Sequence, residues 1–277
     1  MAARQCPLAD HVPVTNWDRE QLRRTFDGAA ELYDKARPGY PEALFDDLIE
    51  AGGLGPEARL LEIGCGTGQA TRAMARRGHN ILCLELGEAL SAVGRRKLAP
   101  YPRVRVVTSS FEAWDPNGSS FDLVLAATSW HWVDPSTRYV KAAAALKPAG
   151  ALAIITTHHV LPDDGDSFFV EIQDAYDAIG EADSPPPSPE EVGDDRADIE
   201  GSNLFGDVRA YRHLWEQTYA ADDYLALLDT YSGHRLMAPA ARDPLYEDIR
   251  RRIQARRNKR VRKHYLAILH VARRSMR

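Results

Sequence analysis

Three glycines at alternate positions, Gly64, Gly66 and Gly68, directly follow the apolar run Leu60-Leu61-Glu62-Ile63, and few folds can use such a stretch. The run reads as a short buried strand, and helical spacing resumes through Gln69, Ala70, Arg72 and Met74. Glycine has no Cβ, so the turn between them can enter the left-handed region and let a ligand lie against bare backbone. The pattern predicts a cofactor turn joining a strand to a helix in an α/β protein.

The spacing discriminates between cofactors. A dinucleotide fingerprint needs glycine at its first, third and sixth positions, the last for tight helix packing. Gly64 and Gly66 fill the first two places, but the sixth is Gln69 and the extra glycine is Gly68, which disfavours a nicotinamide oxidoreductase. Glu62 would repel a pyrophosphate, yet it can accept hydrogen bonds, directly or through water, from an ammonium group. The next apolar run, Ile81-Leu82-Cys83-Leu84, ends in Glu85, where a carboxylate can take both hydroxyls of a ribose.

With E-x-G-x-G-x-G and an acid closing the second strand, the chain resembles the class I S-adenosylmethionine-dependent methyltransferases. The resemblance implies S-adenosyl-L-methionine as cofactor, held by Glu62, Gly64, Cys65, Gly66, Gly68, Glu85 and Leu86. It also implies an α/β, Rossmann-like sheet of seven strands in the order 3-2-1-4-5-7-6 with the seventh antiparallel, an N-terminal helical cap and a helical insertion in the C-terminal part. Upstream, Phe26-Asp27-x-x-Ala30-x-x-Tyr33-Asp34 followed by Arg37-Pro38-x-Tyr40-Pro41 resembles the cap of the small-molecule branch, which holds trans-aconitate and quinone-precursor methyltransferases. There the resemblance implies that Tyr33 and Arg37 face the site, with Arg37 a partner for the methionine carboxylate; the alternative is that Phe26 and Tyr33 pack a helix on the core.

Alternating elements continue the pattern: strand Ile81 to Glu85, helix Glu88 to Leu98, strands Val104 to Thr108 and Phe121 to Ala127, helix Ser136 to Leu146, strand Ala151 to Thr157. Such alternation with apolar strands means a parallel sheet covered on both faces, which binds ligands beyond the strand carboxyl ends. After the third strand the family usually places an acid that bonds adenine; this chain has Ser110-Phe111, whose hydroxyl and amide can serve instead. After the fourth, Ala126 leads into Ala127-Thr128-Ser129-Trp130-His131-Trp132. The absence of an Asn-Pro-Pro-aromatic tetrad and of a Pro-Cys nucleophile argues against nucleic-acid methylation. The Ser-Trp-His-Trp run resembles the small-molecule branch and offers His131 as catalytic base, with His158 and His159 in reserve; a packed core histidine is the other reading.

The sequence divides into an arm and cap at 1–40, a cofactor-binding core at 41–160, and a C-terminal completion at 161–277. Gly180 to Gly201 is a proline- and acid-rich linker, followed by a strand near Val208 to Trp215, helices from Ala221 and from Pro244, and a strand His264 to Ala272. The helix carrying Tyr224, Leu227, Leu228 and Tyr231 is either a substrate-pocket wall or core packing. The basic run from Arg250 to Lys263 is either a solvated helix end or a surface for an anionic carrier, nucleotide or RNA. A net charge of −5 gives no global attraction to nucleic acid or anionic membrane. The cysteines, Cys6, Cys65 and Cys83, are too few and scattered for a disulfide framework or zinc site, so no metal is expected. With no signal-peptide core in Met1 to Asp10 and no run long enough to span a membrane, the cytoplasm is the expected home. The expected function is in-line methyl transfer to oxygen or carbon of a small organic acceptor, with no nucleic-acid or membrane partner; the alternative is a protein that binds S-adenosylmethionine without methylating.

Overall fold

A computed structural model describes residues 26–116, 118, 120–180 and 184–275. The N-terminal arm, with Cys6, and the start of the helix expected from Glu20 lie outside the described residues. In chain order the elements are α1 (Ala30–Ala36), α2 (Glu42–Gly52), β1 (Arg59–Ile63), α3 (Gln69–Arg76), β2 (Asn80–Glu85), α4 (Glu88–Leu98), β3 (Val104–Thr108), β4 (Phe121–Ala127), a 3-10 turn at Trp130–Trp132, α5 (Arg138–Ala145) and β5 (Leu146–Val160). There follow α6 (Phe168–Glu171), α7 (Gln173–Ala178), a 3-10 turn at Pro189–Glu191, α8 (Arg196–Gly201), β6 (Phe205–Ala220), α9 (Ala221–Leu228), α10 (Ser232–Leu236), α11 (Pro239–Ala255) and β7 (Arg260–Arg274).

The seven strands form one sheet in the order β3-β2-β1-β4-β5-β7-β6, as the resemblance implies. From β3 to β5 every pairing is parallel. Parallel pairing needs crossovers, and α3, α4 and α5 supply them. The apolar runs become strands because both of their faces are covered: Leu60, Leu61, Leu123, Val124, Leu125 and Ala126 are essentially inaccessible.

Boundaries differ from the sequence expectation where strands run long. β5 begins at Leu146, not Ala151, because Lys147–Gly150 bulge out of the ladder: the register jumps from Phe121↔Leu146 to Leu123↔Ala151, and Ala149 takes φ 61. α11 begins at Pro239, whose missing N–H costs nothing in a first turn, and Pro244 lies inside it. The stretch expected to be a linker contains the 3-10 turn at Pro189–Glu191 and α8.

The chain makes two compact units. The sheet unit comprises Gly39–Thr157, Asp194–His213 and Ala267–Arg277. Its core gathers Leu61, Ile63, Leu84, Phe111, Val124, Ala126 and Trp130 with Leu152 and Ile154. The described residues of the helical unit are 26–38, 158–180, 184–193 and 214–266. Its core is Phe168, Phe169, Tyr176, Leu225, Ile249, Ile253 and Val261, together with Tyr224, Leu227, Leu228 and Tyr231, all four of them buried. The boundaries between the units fall at 38/39 and 193/194 and within β5, β6 and β7.

In the helical unit the basic run is largely neutralised from within. Arg250 pairs with Asp222 at 3.2 Å, Arg252 with Asp248 at 2.6 Å and Asp174 at 2.8 Å, Arg262 with Glu216 at 3.1 Å, and Arg251 also meets Asp248. Lys263 is 1% exposed, its ammonium 5.4 and 5.2 Å from the ring centres of Tyr231 and Tyr265. Asp166 ties the run to α6: it accepts from Arg256 Nη2 at 2.5 Å, from the Arg262 amide at 2.9 Å and from the Phe168 amide at 3.1 Å. Asp166→Ala leaves a half-buried guanidinium and two amides unserved and is expected to cost about 3 kcal/mol. Urea denaturation measures it, and a loss indistinguishable from zero would mean that solvent serves those donors equally well.

Candidate functional site

The site begins at the turn after β1. Gly64, Gly66 and Gly68 all occupy the left-handed region, with φ of 66, 56 and 95. A Cβ on Gly64 would lie 2.7 Å from the Ser129 Cβ, and one on Gly68 would lie 3.0 Å from Leu98. Both conformation and space therefore demand glycine. The turn is pinned to β2, because the amides of Gly64 and Cys65 both donate to the Leu84 carbonyl, at 2.8 and 3.2 Å. Gly94 lets α4 approach: a Cβ there would sit 3.1 Å from the Gly66 carbonyl oxygen. Cys65 is buried, and hydrogen bonding with Cys83 followed by burial pushes its thiol pKa well up.

Two carboxyl groups stand at neighbouring strand ends. Glu85 is 7% exposed; its Oε2 accepts from the Gly66 amide at 2.8 Å and its Oε1 from the Gly87 amide at 2.9 Å. Glu62 is 1% exposed and accepts from the Thr71 hydroxyl at 2.7 Å. Burial, with a smaller contribution from nearby Glu85, raises the Glu62 pKa to about 7 against the opposing Thr71 bond. Leu86, next to Glu85, is 37% exposed.

After β3, Ser110 uses its hydroxyl oxygen to accept from the Ala113 amide at 3.0 Å, while Phe111 is buried against Trp114. Ala126 is wholly buried within β4. The turn after β4 folds back on the glycines: Ser129 Oγ donates to the Ile63 carbonyl at 2.5 Å. Thr128 has φ 54, costly for a β-branched residue by roughly 1–3 kcal/mol. Its amide donates to the Ile155 carbonyl at 2.7 Å, and its hydroxyl lies 2.9 Å from Tyr40 Oη and 3.4 Å from Thr157 Oγ1. His131 is half-buried, its ring 4.7 Å from that of Trp132.

Of the residues expected at a site, Glu62, Gly64, Cys65, Gly66, Gly68, Glu85, Leu86, Ser110, Phe111, Ala126 and His131 belong to the sheet unit. Tyr33 and Arg37 belong to the helical unit. There Arg37 donates from Nε to Thr230 Oγ1 at 2.8 Å and from Nη2 to the Thr230 carbonyl at 2.9 Å, with its guanidinium 5.1 Å from the Tyr33 ring centre and 4.3 Å from that of Tyr231. The reserve His159 is also in the helical unit; burial, then the Lys263 charge, pushes its pKa well down and keeps the imidazole neutral. Sequence reasoning missed Thr71, the Ser129 bond to the Ile63 carbonyl and the strain at Thr128. Gly94, a glycine inside the predicted helix, is a sequence signal for the close approach of α4 to Gly66 that was not used. Among the described residues no group of three or more His, Cys, Asp or Glu could hold a metal, and no helix is long and apolar enough to cross a membrane.

Residues 60–150 match the profile of a methyltransferase domain. A trans-aconitate 2-methyltransferase of Variovorax paradoxus is 31% identical over 144 residues, covering 51% of this chain and 50% of that protein. An uncharacterized methyltransferase of Mycobacterium tuberculosis is 30% identical over 137 residues, 50% of this chain and 54% of the relative. The chain thus spans about half the length of the curated relatives it matches. Among solved structures, a candidate type II methyltransferase of Anaeromyxobacter dehalogenans superposes with a TM-score of 0.57 at 22% identity, covering 86% of this chain and 97% of that one. Phosphoethanolamine N-methyltransferase 2 of Haemonchus contortus, solved with phosphomonomethylethanolamine and S-adenosylhomocysteine, gives 0.53 at 16% identity over 95% of this chain and 61% of its own. These likenesses show the fold to be that of the class I methyltransferases.

Glu62 makes stability depend on pH with a definite sign. Its folded pKa, about 7, lies above the ordinary 4.5, so between these values the folded chain keeps a proton that the unfolded chain has lost, and stability falls as pH rises. The full loss is about 3 kcal/mol. Glu62→Gln keeps an acceptor for Thr71 and removes the charge, so the variant is expected to gain on the parent as pH rises from 5 to 8 and to match it near the acidic end. Denaturation across that range checks it, and a constant difference would show Glu62 to be ionised throughout.

Proposed function

We propose that this chain, which carries a methyltransferase domain over residues 60–150, uses S-adenosyl-L-methionine to methylate a small organic acceptor by in-line displacement. The observation that carries this reading is the left-handed glycine turn flanked by two carboxyl groups at adjacent strand ends. The residues fit the cofactor: the glycine turn stands between two carboxyl groups, of which Glu62 suits an ammonium group and Glu85 suits ribose hydroxyls. Leu86 offers an exposed apolar surface, and the Ser110 hydroxyl and Phe111 amide suit an adenine edge. The cofactor, when bound, supplies a methyl group on an activated sulfonium leaving group.

What remains for the protein is orientation and proton removal. Holding the acceptor in line contributes on the order of 7 to 11 kcal/mol. A hydroxyl nucleophile also needs a base, and we assign that part to His131, worth roughly a hundredfold to ten-thousandfold. An oxygen-methylated acceptor is favoured by a malonyl-[acyl-carrier protein] O-methyltransferase of Halorhodospira halophila, 32% identical over 123 residues. Nucleic acid is disfavoured as partner by the net charge and by the paired arginines of the basic run. Free Cys65 and Cys83 suit a reducing compartment such as the cytoplasm.

Calorimetry with S-adenosylmethionine, followed by assay of S-adenosylhomocysteine release with an acceptor set that includes trans-aconitate, tests the proposal. Saturable binding and acceptor-dependent release are expected, and no binding at millimolar cofactor would sink it. Binding without release across a broad set would favour a non-methylating role. His131→Ala is expected to lower kcat at least a hundredfold with cofactor affinity within about twofold; an unchanged rate would remove His131 as base. Salt should leave turnover nearly constant, whereas a nucleic-acid substrate would show affinity falling linearly in log salt.

A further inference from the structure

Glu85 has work to do before any ligand arrives. One carboxylate joins the loops after β1 and β2, accepting the Gly66 amide at 2.8 Å and the Gly87 amide at 2.9 Å. The loops leave adjacent parallel strands at the paired ends Ile63↔Leu84. Hydrogen bonds to an ionised acceptor are roughly twice as strong as neutral ones, and this acceptor is almost fully buried. On the other side of Gly66, its carbonyl faces the bare Cα of Gly94 on α4, where a Cβ would come within 3.1 Å. The Gly66 residue is thus held at its N–H by Glu85 while its C=O abuts α4, in a left-handed conformation at φ 56 that nothing in an isolated turn would favour over others.

We propose that Glu85 is a positioning residue for the whole glycine turn: its carboxylate clamps the Gly66 and Gly87 amides into one frame, so that losing it weakens the grip on parts of the ligand that Glu85 never touches. The ligand side of this inference rests on the S-adenosylmethionine reading; the clamp itself is a property of the ligand-free chain. The competing account is that Glu85 acts only by accepting from the ribose hydroxyls. In that account its removal changes nothing for a ligand without those hydroxyls.

The experiment compares the full-length parent, Glu85→Ala and Glu85→Gln. Calorimetry measures S-adenosylhomocysteine and its 2′,3′-dideoxy analogue, and hydrogen exchange without ligand follows the Gly66 and Gly87 amides. Glu85→Ala is expected to lose at least tenfold in affinity for both compounds and to exchange both amides at least tenfold faster. Glu85→Gln, whose single carbonyl oxygen can serve only part of the clamp, should fall between. A loss confined to S-adenosylhomocysteine, with the analogue bound as by the parent, would overturn the proposal, as would unchanged exchange at both glycines. Should the parent bind neither compound, the cofactor reading fails, and the exchange rates alone still decide whether the clamp exists. If Glu85→Ala does not fold, Glu85→Gln carries both measurements.

Discussion

Left-handed backbone at three alternate residues is the constraint on which the site depends. Outside glycine such a conformation costs of order 1 kcal/mol or more per residue, so the turn needs glycine at all three places, and its neighbours select this conformation from the many that glycine allows. They do so from three directions. The Leu84 carbonyl binds the amides of Gly64 and Cys65, the Glu85 carboxylate takes that of Gly66, and the turn after β4 presses Ser129 against Gly64 while bonding the Ile63 carbonyl. Strand order makes this possible, since β1 stands between β2 and β4 and both neighbours deliver loops at the same end.

Electrostatics build on that frame. Glu62 lies one residue before the end of β1 and Glu85 ends β2, and the Glu85 charge discourages ionisation of Glu62, yet their surroundings divide the roles. Glu85 accepts from two backbone amides, whereas Glu62 accepts from one hydroxyl and burial makes it hold its proton to about neutrality. A cationic ligand close to Glu62 would reverse that preference and be taken up with release of a proton.

Much of this was legible in the residues, for reasons that also explain the gaps. Strands such as Leu60–Ile63 and Phe121–Ala127 are apolar on both faces, so their type followed from composition, and the glycine spacing located the turn. Boundaries failed where hydrogen bonding rather than periodicity decides them, as at the bulge before Ala151 and at α11, where Pro239 rather than Pro244 starts the helix. Glu85 was readable as a candidate for ribose hydroxyls, but its contacts to the Gly66 and Gly87 amides were not, because they depend on a rotamer and two loop closures. Arg37 was assigned by motif to a carboxylate, and its bonds to Thr230, on the far side of the chain, carry no local sequence signal.

Thr128 joins strain to a hydroxyl contact in a single residue. Extended backbone lies downhill from its present φ of 54, and rotation into it would swing the side chain to the other face of the strand, parting Thr128 from Tyr40 and from Thr157 at once. At the end of β4 one strained torsion angle therefore sets the position of the hydroxyl that meets both Tyr40 and Thr157.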